Sequence, residues 1–269
     1  MIIVNKKKIE EIQWNILSRY YKNWRQLPWR KTRDPYSIHI SEVMSQQTQV
    51  DRVIPYREKR IKDIPNYETL ANISKLDLLS HWSGLWFNSR ALRLQECAQE
   101  VIKTYKWNLP KEKEKLLNLP WIWPYTASAI CAFAWNLPEP VIDTNIRRVL
   151  IFLLKLDENI SYKELEKIAK NLIPEWKSRD RNNALMDYWA TQLTARKTKI
   201  KSLWKQSKFE WSDREVRGWI LKEITKKQKD ISIKEIENNF PKKDIKKIVN
   251  DMEKEKLISI SKNDTIFID

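Results

Sequence analysis

The chain has 269 residues, room for one large or two modest domains, and carries 51 Lys and Arg against 35 Asp and Glu, a net charge of +16. No run of about 18 apolar residues exists, and the basic start Met1–Lys8 leads into no apolar core, so neither a membrane-spanning helix nor an export signal is expected. Charge alone leaves two readings open, a polyanionic partner or a lysine-rich solvated surface.

In chain order, Ile9, Ile12, Ile16 and Leu17 give 6–21 a helical period. Asn23-Trp24-Arg25-Gln26-Leu27-Pro28-Trp29-Arg30 interrupts it, and Asp34-Pro35-Tyr36 is a turn. Ile40, Val43, Met44, Val50 and Val53 predict one long helix over 38–56. Ile64-Pro65-Asn66 opens another helix that runs to Leu79. Asn118-Leu119-Pro120 ends a further helix, because proline disfavours the helical region for the residue before it. Tyr125–Ala134 is almost wholly small or apolar, so this helix packs on most sides. Pro138 and Pro140 break it, and Asp143 precedes an amphipathic run with Ile146, Val149, Leu150 and Leu153 on one face. Helices continue over 162–172 and 183–193. The stretch 209–214 reads as a boundary, followed by helices over 214–227, 233–239 and 242–256 and a hairpin, Leu257–Ser261 with Thr265–Ile268. The two cysteines, Cys97 and Cys131, fall in separate helical segments, which reads as buried free thiols in a reducing cytoplasm.

Three blocks carry a resemblance. Val141-Ile142-Asp143-Thr144-Asn145-Ile146-Arg147-Arg148-Val149 matches [VI]-[LIV]-D-x-N-[VI]-x-R-V in full. Ser41-Glu42-Val43-Met44-Ser45-Gln46-Gln47-Thr48-Gln49-Val50 matches S-E-V-M-L-Q-Q-T-Q-V at nine of ten positions. Leu119-Pro120-Trp121-Ile122-Trp123-Pro124-Tyr125-Thr126-Ala127 follows L-P-G-[VI]-G-x-[SYK]-T-A, except that Trp121 and Trp123 replace both glycines. The sequence thus resembles the helix-hairpin-helix DNA glycosylases, in particular the adenine glycosylases of A·8-oxoguanine mismatches, the MutY branch. Weaker blocks agree: residues 24–30 resemble G-R-x-L-P-W-R, 82–91 resemble W-x-G-L-G-Y-Y-x-R-A, and 184–190 resemble A-L-M-D-x-G-A. The resemblance covers residues 20 to 212.

The resemblance implies a mainly α fold of two helical subdomains with DNA in the cleft between them. The glycosylase domain is expected over 1–211, with a six-helix barrel over about 25–136 and a second subdomain from 1–24 with 137–211. Residues 212–269 are expected to form a small winged-helix-like module, whose Lys242, Lys243, Lys246 and Lys247 either meet phosphates or line a solvated face. Glu42 is implied as the acid that protonates adenine, and Asp143 as the carboxylate that stabilises the cationic sugar or captures it. Read from spacing alone, Asp143 is a plain helix N-cap; the surrounding block is what turns the reading to catalysis. Asn145 is implied to orient that carboxylate. Tyr125 stands where strand-cleaving relatives have lysine, so no Schiff base forms there and the enzyme is expected to be monofunctional. Gln46, Gln47 and Thr48 are implied at the base stack; glutamine amides both donate and accept, as base edges require. Phe87 is implied as an aromatic wedge, against the plainer reading of a core ring. Leu85, Trp121, Trp123 and Arg30 complete the expected DNA contacts. His39 is taken as structural, because a lone histidine seldom acts unaided.

Many relatives place four cysteines as C-x6-C-x2-C-x5-C after this point. Residues 193–211 contain no Cys and no His, so the iron–sulfur cluster is expected to be absent, with no other metal or cofactor. The Nudix-like domain by which many members read 8-oxoguanine is likewise expected to be absent. The expected partner is double-stranded DNA with a mismatch or oxidised guanine, bound by a cytoplasmic monomer. The run Gln46–Gln49 favours adenine. A thymine or uracil mismatch glycosylase of the same fold, and a catalytically silent DNA-binding protein, are the alternatives.

Composition adds an anomaly. The chain holds 2 glycines and 14 tryptophans, where ordinary usage would give roughly 19 glycines. Trp24, Trp86, Trp107, Trp121, Trp123, Trp176, Trp189 and Trp211 fall where the family motifs or their surroundings favour glycine, whereas Trp29 and Trp82 fall where the family has tryptophan. One reading is that the organism decodes UGA as glycine and the printed chain carries tryptophan instead. The other is a diverged, tryptophan-rich protein. If the indoles are real, a chain with glycine at the eight sites is expected to bind DNA much more tightly.

Overall fold

The computed structural model describes residues 6–85, 88–201 and 212–269. Helices dominate, in the order α1 (Lys6–Asn23), α2 (Pro35–Ser45), α3 (Val50–Asp63), α4 (Tyr67–Asn72), α5 (Lys75–Trp82), α6 (Ser89–Tyr105), α7 (Lys113–Leu117), α8 (Pro124–Trp135), α9 (Thr144–Leu154), α10 (Tyr162–Asn171), α11 (Ser178–Thr191), α12 (Ala195–Thr198), α13 (Asp213–Lys227), α14 (Ile233–Asn239) and α15 (Ile245–Lys254). The strands are β1 (Ile231–Ser232), β2 (Ser259–Ile260) and β3 (Thr265–Phe267). No described helix is long and apolar enough to cross a membrane.

Two compact units divide the chain. The first comprises Met1–Glu42, Pro110–Asn118 and Ile122–Lys205. In it α1 packs along α11, and α8 and α9 pack on α11 as well. Ile16, Leu17 and Tyr20 of α1 meet Ile146, Val149 and Leu150 of α9, Leu165 of α10 and Leu185 of α11. Truncating a side chain as enclosed as Leu150 to alanine costs about 2–5 kcal/mol through lost transfer energy and the cavity left behind. Pro124 opens α8 at a position where its missing N–H costs nothing, and Thr126 through Ala134 are all buried, as the unbroken small and apolar run requires.

The second unit comprises Val43–Leu109, Leu119–Trp121 and Gln206–Asp269. Here α4 and α5 pack on α6, and α13 packs on α5 and α15. Residues 212–269 therefore share a unit with 43–109. The sheet runs β1-β3-β2, antiparallel throughout, with Ile231 opposite Ile266 and Ile260 opposite Ile266. The expected hairpin over 257–268 is β2 and β3; β1 escaped notice because two residues carry no readable alternation.

Two long helices expected from periodicity are each split. The helix over 38–56 breaks at 46–49, where Gln47 turns left-handed with φ +55. The helix through Leu79 breaks at Ile73, and Ser74 caps α5 by accepting from the Asp77 amide. Apolar spacing continues across both breaks, so periodicity alone could not show them.

Candidate active site

Glu42 lies in α2, whose residues 36–44 are all buried, and is itself 8% exposed. Tyr125, the first residue after the proline of α8, donates its hydroxyl to Glu42 Oε2 at 3.0 Å. Burial pushes the Glu42 carboxyl up to about 7; the Tyr125 hydrogen bond opposes this, the Asp143 charge adds to it, and the Arg30 charge opposes it. A carboxyl so placed is protonated over a large fraction of molecules near neutrality, which is what a proton donor needs. Tyr125 is in turn held well above its usual value, first by burial and then by the charges of Glu42 and Asp143. It therefore stays a neutral hydroxyl.

Asp143 is the N-cap of α9. Its Oδ1 accepts from the backbone N–H groups of Asn145 at 2.8 Å and Ile146 at 2.7 Å. Burial raises its carboxyl from the ordinary range, while these two amides and the Arg148 charge pull the other way. The N-cap reading of Asp143 is thus what the geometry shows, and the capping amides supply donors that favour the carboxylate. Asn145 serves it through its backbone N–H. Its side-chain Oδ1 accepts from Arg148 Nη1 at 3.4 Å, so the side chain orients Arg148 rather than Asp143.

Arg30 corrects the reading as a DNA contact. Its side chain is 3% exposed and forks onto Asp187, Nη1 to Oδ2 at 2.8 Å and Nη2 to Oδ1 at 2.9 Å. Arg25 Nε joins at 2.5 Å. Burial opposes ionisation of Asp187, but hydrogen bonds from Arg30 and Arg25 outweigh it and hold the carboxyl below its usual range. A guanidinium spent on a buried carboxylate offers no face to a phosphate, and losing one partner costs about 3–5 kcal/mol. Its charge acts instead on Glu42. His39 is buried, with its pKa lowered by burial to about 4, which leaves it neutral.

In the second unit, Gln46, Gln47 and Thr48 form the turn after α2. Gln47 is exposed, Gln46 and Thr48 half-buried. Thr48 N donates to Ser45 O at 3.3 Å. Leu85 is fully buried, which corrects its reading as a DNA contact: it follows Gly84 into the core rather than facing out. Gly84 has φ +94, and a Cβ there would fall 2.2 Å from the Tyr56 hydroxyl, so only glycine fits. Phe87, the expected wedge, lies outside the described residues. Trp121 has φ +64 and is 40% exposed; its Nε1 donates to Glu96 Oε2 at 2.5 Å, with Arg93 over the ring. Trp123 is the N-cap of α8, with φ −87 and 62% exposure.

A family model described as HhH-GPD superfamily base excision DNA repair protein matches residues 40–175, half of the chain. The chain belongs to this superfamily. It is 37% identical over 178 residues to an adenine DNA glycosylase of Buchnera aphidicola, covering 65% of this chain and 51% of that one. With an adenine DNA glycosylase of Mycolicibacterium smegmatis it shares 36% over 184 residues, covering 67% and 63%. The chain therefore spans between half and two thirds of these curated relatives. Among solved structures it resembles a thermostable thymine-DNA glycosylase, at TM-score 0.65 and 30% identity over 69% of this chain and 87% of that one.

Two features of this superfamily member escaped the sequence reading. One is the Arg25–Arg30–Asp187 clamp, which joins residues 157 or more apart in sequence and leaves no local signal. The other is Arg90, buried on the face of α6 that also carries Ala91, Leu94, Cys97, Ala98 and Val101. An arginine in register with an apolar face was a readable sign of a buried cation.

Proposed function

We propose that the chain is a DNA N-glycosylase that removes adenine mispaired with 8-oxoguanine or guanine, and that it is monofunctional. The observation carrying this reading is Glu42, buried, held by Tyr125 and pushed up to about 7 within range of the Asp143 charge. The adenine leaves the base stack at a cost of roughly a few kcal/mol. Glu42 gives its proton to N7, and the C1′–N9 bond breaks to release neutral adenine and a cationic sugar. Asp143, held by the α9 amides, balances that cation or captures it. Water then supplies hydroxide to C1′, and its proton returns to Glu42. Two carboxyls with divided roles are the general logic of glycosidases. Tyr125 provides a hydroxyl where an amine would be required for strand cleavage.

DNA is engaged in this reading by Gln46, Gln47, Thr48 and Phe87 and by the backbone around Trp121 and Trp123. Residues 212–269 act as a winged-helix-like module on the same duplex; Lys242, Lys246 and Lys247 are exposed, whereas Lys243 pairs with Asp213 at 3.0 Å. Chemistry proceeds without an iron–sulfur cluster. Residues 193–211 offer no thiol or imidazole, and burial holds Cys97 and Cys131 up to about 12, far from thiolate. The resemblance to a thymine-DNA glycosylase favours a second reading, excision of thymine or uracil from mismatches.

Single-turnover assays on duplexes carrying A·8-oxoguanine, A·G, T·G and U·G decide between these. Adenine release that falls about a hundred- to ten-thousandfold in Glu42→Gln, with duplex binding kept, is expected. Release of thymine or uracil in place of adenine shifts the assignment to the second reading, and no release of any base leaves a DNA-binding protein.

A further inference from the structure

Arg90 is 7% exposed and its guanidinium reaches three stretches of chain. Nη1 donates to the carbonyls of Val43 at 2.8 Å, Met44 at 3.4 Å and Gln46 at 2.5 Å. Nη2 donates to the Leu85 carbonyl at 2.7 Å and to Thr48 Oγ1 at 3.5 Å. These five acceptors are uncharged. Val43 and Met44 lie in the last turn of α2, where carbonyls lack helical partners and the helix presents its negative end. The cation therefore caps α2, holds both sides of the left-handed Gln47, and fixes the residue two before Phe87. Burial pulls Arg90 down to about 10, so it remains cationic at neutral pH.

We propose that Arg90 is a positioning residue for recognition: it presets the Gln46-Gln47-Thr48 turn and ties it to the Leu85 end of the next loop, so that both meet the base stack in one geometry. The inference rests on the reading that these segments face DNA. A planar fork with five N–H groups can serve three stretches at once, whereas a lysine ammonium is a compact point charge that cannot span them.

The test uses the full chain with Arg90→Lys and Arg90→Gln. Binding is measured to an A·8-oxoguanine duplex and to the same duplex with an A·T pair, beside thermal midpoints and the pH profile of base release. Expected is a fall of about tenfold in the preference for the mismatch, the scale of one bidentate contact. Melting should stay within a few degrees and the pH midpoint near 7, because Glu42 and Asp143 are untouched. Unchanged preference in both variants overturns the proposal. So does loss of both affinities in step with a collapse of the fold, which would make Arg90 merely structural. Because binding is the readout, a wild type that discriminates but releases no base defeats the enzymatic reading and leaves this one standing.

The tryptophans carry a second inference on separate grounds. Of the eight at family glycine positions, Trp86 and Trp211 lie outside the described residues. Trp107, Trp121 and Trp176 take φ of +71, +64 and +59. They are 54, 40 and 81% exposed, so no core packing holds them there. A bulky residue in this region is a backbone outlier, whereas glycine enters it freely. Trp189 and Trp24 behave otherwise: both are partly buried against the core of the first unit. We infer that these three turns are built for glycine, and that the cell decodes as glycine a codon printed here as tryptophan. Peptide mass mapping of the protein from its native source is expected to find glycine at 107, 121 and 176; tryptophan there refutes the inference. Independently, the triple variant to glycine should melt several degrees above the printed chain, and an equal or lower midpoint counts against it.

Discussion

The Glu42–Tyr125–Asp143 site and the Leu119–Trp123 turn belong to one stretch of homology but have fared differently. At the acids every residue type expected by resemblance is present, and burial then does the chemical work: it lifts Glu42 to about 7 and keeps Tyr125 neutral. At the turn two residues that the resemblance expects as glycine are indoles, one of them at φ +64. In the proposed function, side-chain chemistry is preserved where side chains act. Read as printed, the indoles would obstruct the backbone where a phosphate would have to approach amide N–H groups closely. Under that proposal, catalysis and binding are therefore expected to be separable in this chain by substitution.

The sharpest way to break the contrast is Asp143→Asn. Asparagine caps a helix as well as aspartate, so the fold should hold, while base release falls about a hundred- to a thousandfold with the lost negative charge. An active Asp143→Asn enzyme, measured by single-turnover excision, would remove the carboxylate from the mechanism.

Next in size is a stability effect at Glu42. Its carboxyl binds a proton more tightly folded, at about 7, than unfolded, at its ordinary 4.5. Stability is therefore lost as pH climbs from 4.5 to 7 and stays lost above. Glu42→Gln should stabilise the chain by up to about 3 kcal/mol at pH 8 and by little at pH 4, read from urea unfolding at the two values. Equal gains at both would show that the carboxyl is not strained by burial.

At the turn, Trp121→Gly should raise duplex affinity by roughly ten- to a hundredfold, the worth of one charge-assisted hydrogen bond restored to a phosphate. Trp123→Gly should gain less, because φ −87 suits any residue. Anisotropy titrations at one fixed salt concentration compare them; equal gains would mean that bulk, and not backbone torsion, is the obstacle. The smallest effect is on pH. Base release should fall about tenfold per unit above pH 7 as Glu42 loses its proton, and Tyr125→Phe should move that midpoint upward by removing a hydrogen bond to the ionised form.

Much of this was legible in the chain. Helix periodicity placed α1, α8, α9 and α13 to within a few residues, and a run such as Tyr125–Ala134 leaves no polar face to misread. The acids were legible because their neighbours form unbroken blocks. What was not legible depends on partners remote in sequence. Arg30 and Leu85 lie inside readable motifs, yet one is clamped by Asp187 and the other enclosed, and nothing local distinguishes them from surface contacts. The break in the 38–56 helix is satisfied by Arg90, more than forty positions away. Nothing in a period of 3.6 announces a donor from another helix.

Asp143 carries a final consequence. Because the same side chain tethers α9 and, in the proposed mechanism, balances the sugar cation, selection on folding and selection on catalysis would press on one residue. A lineage released from the need to excise bases should drift there only among side chains that still anchor a helix start. Asparagine, serine or threonine at this position in a descendant would be the mark of a retired enzyme with an intact scaffold, and alanine would mark decay of both.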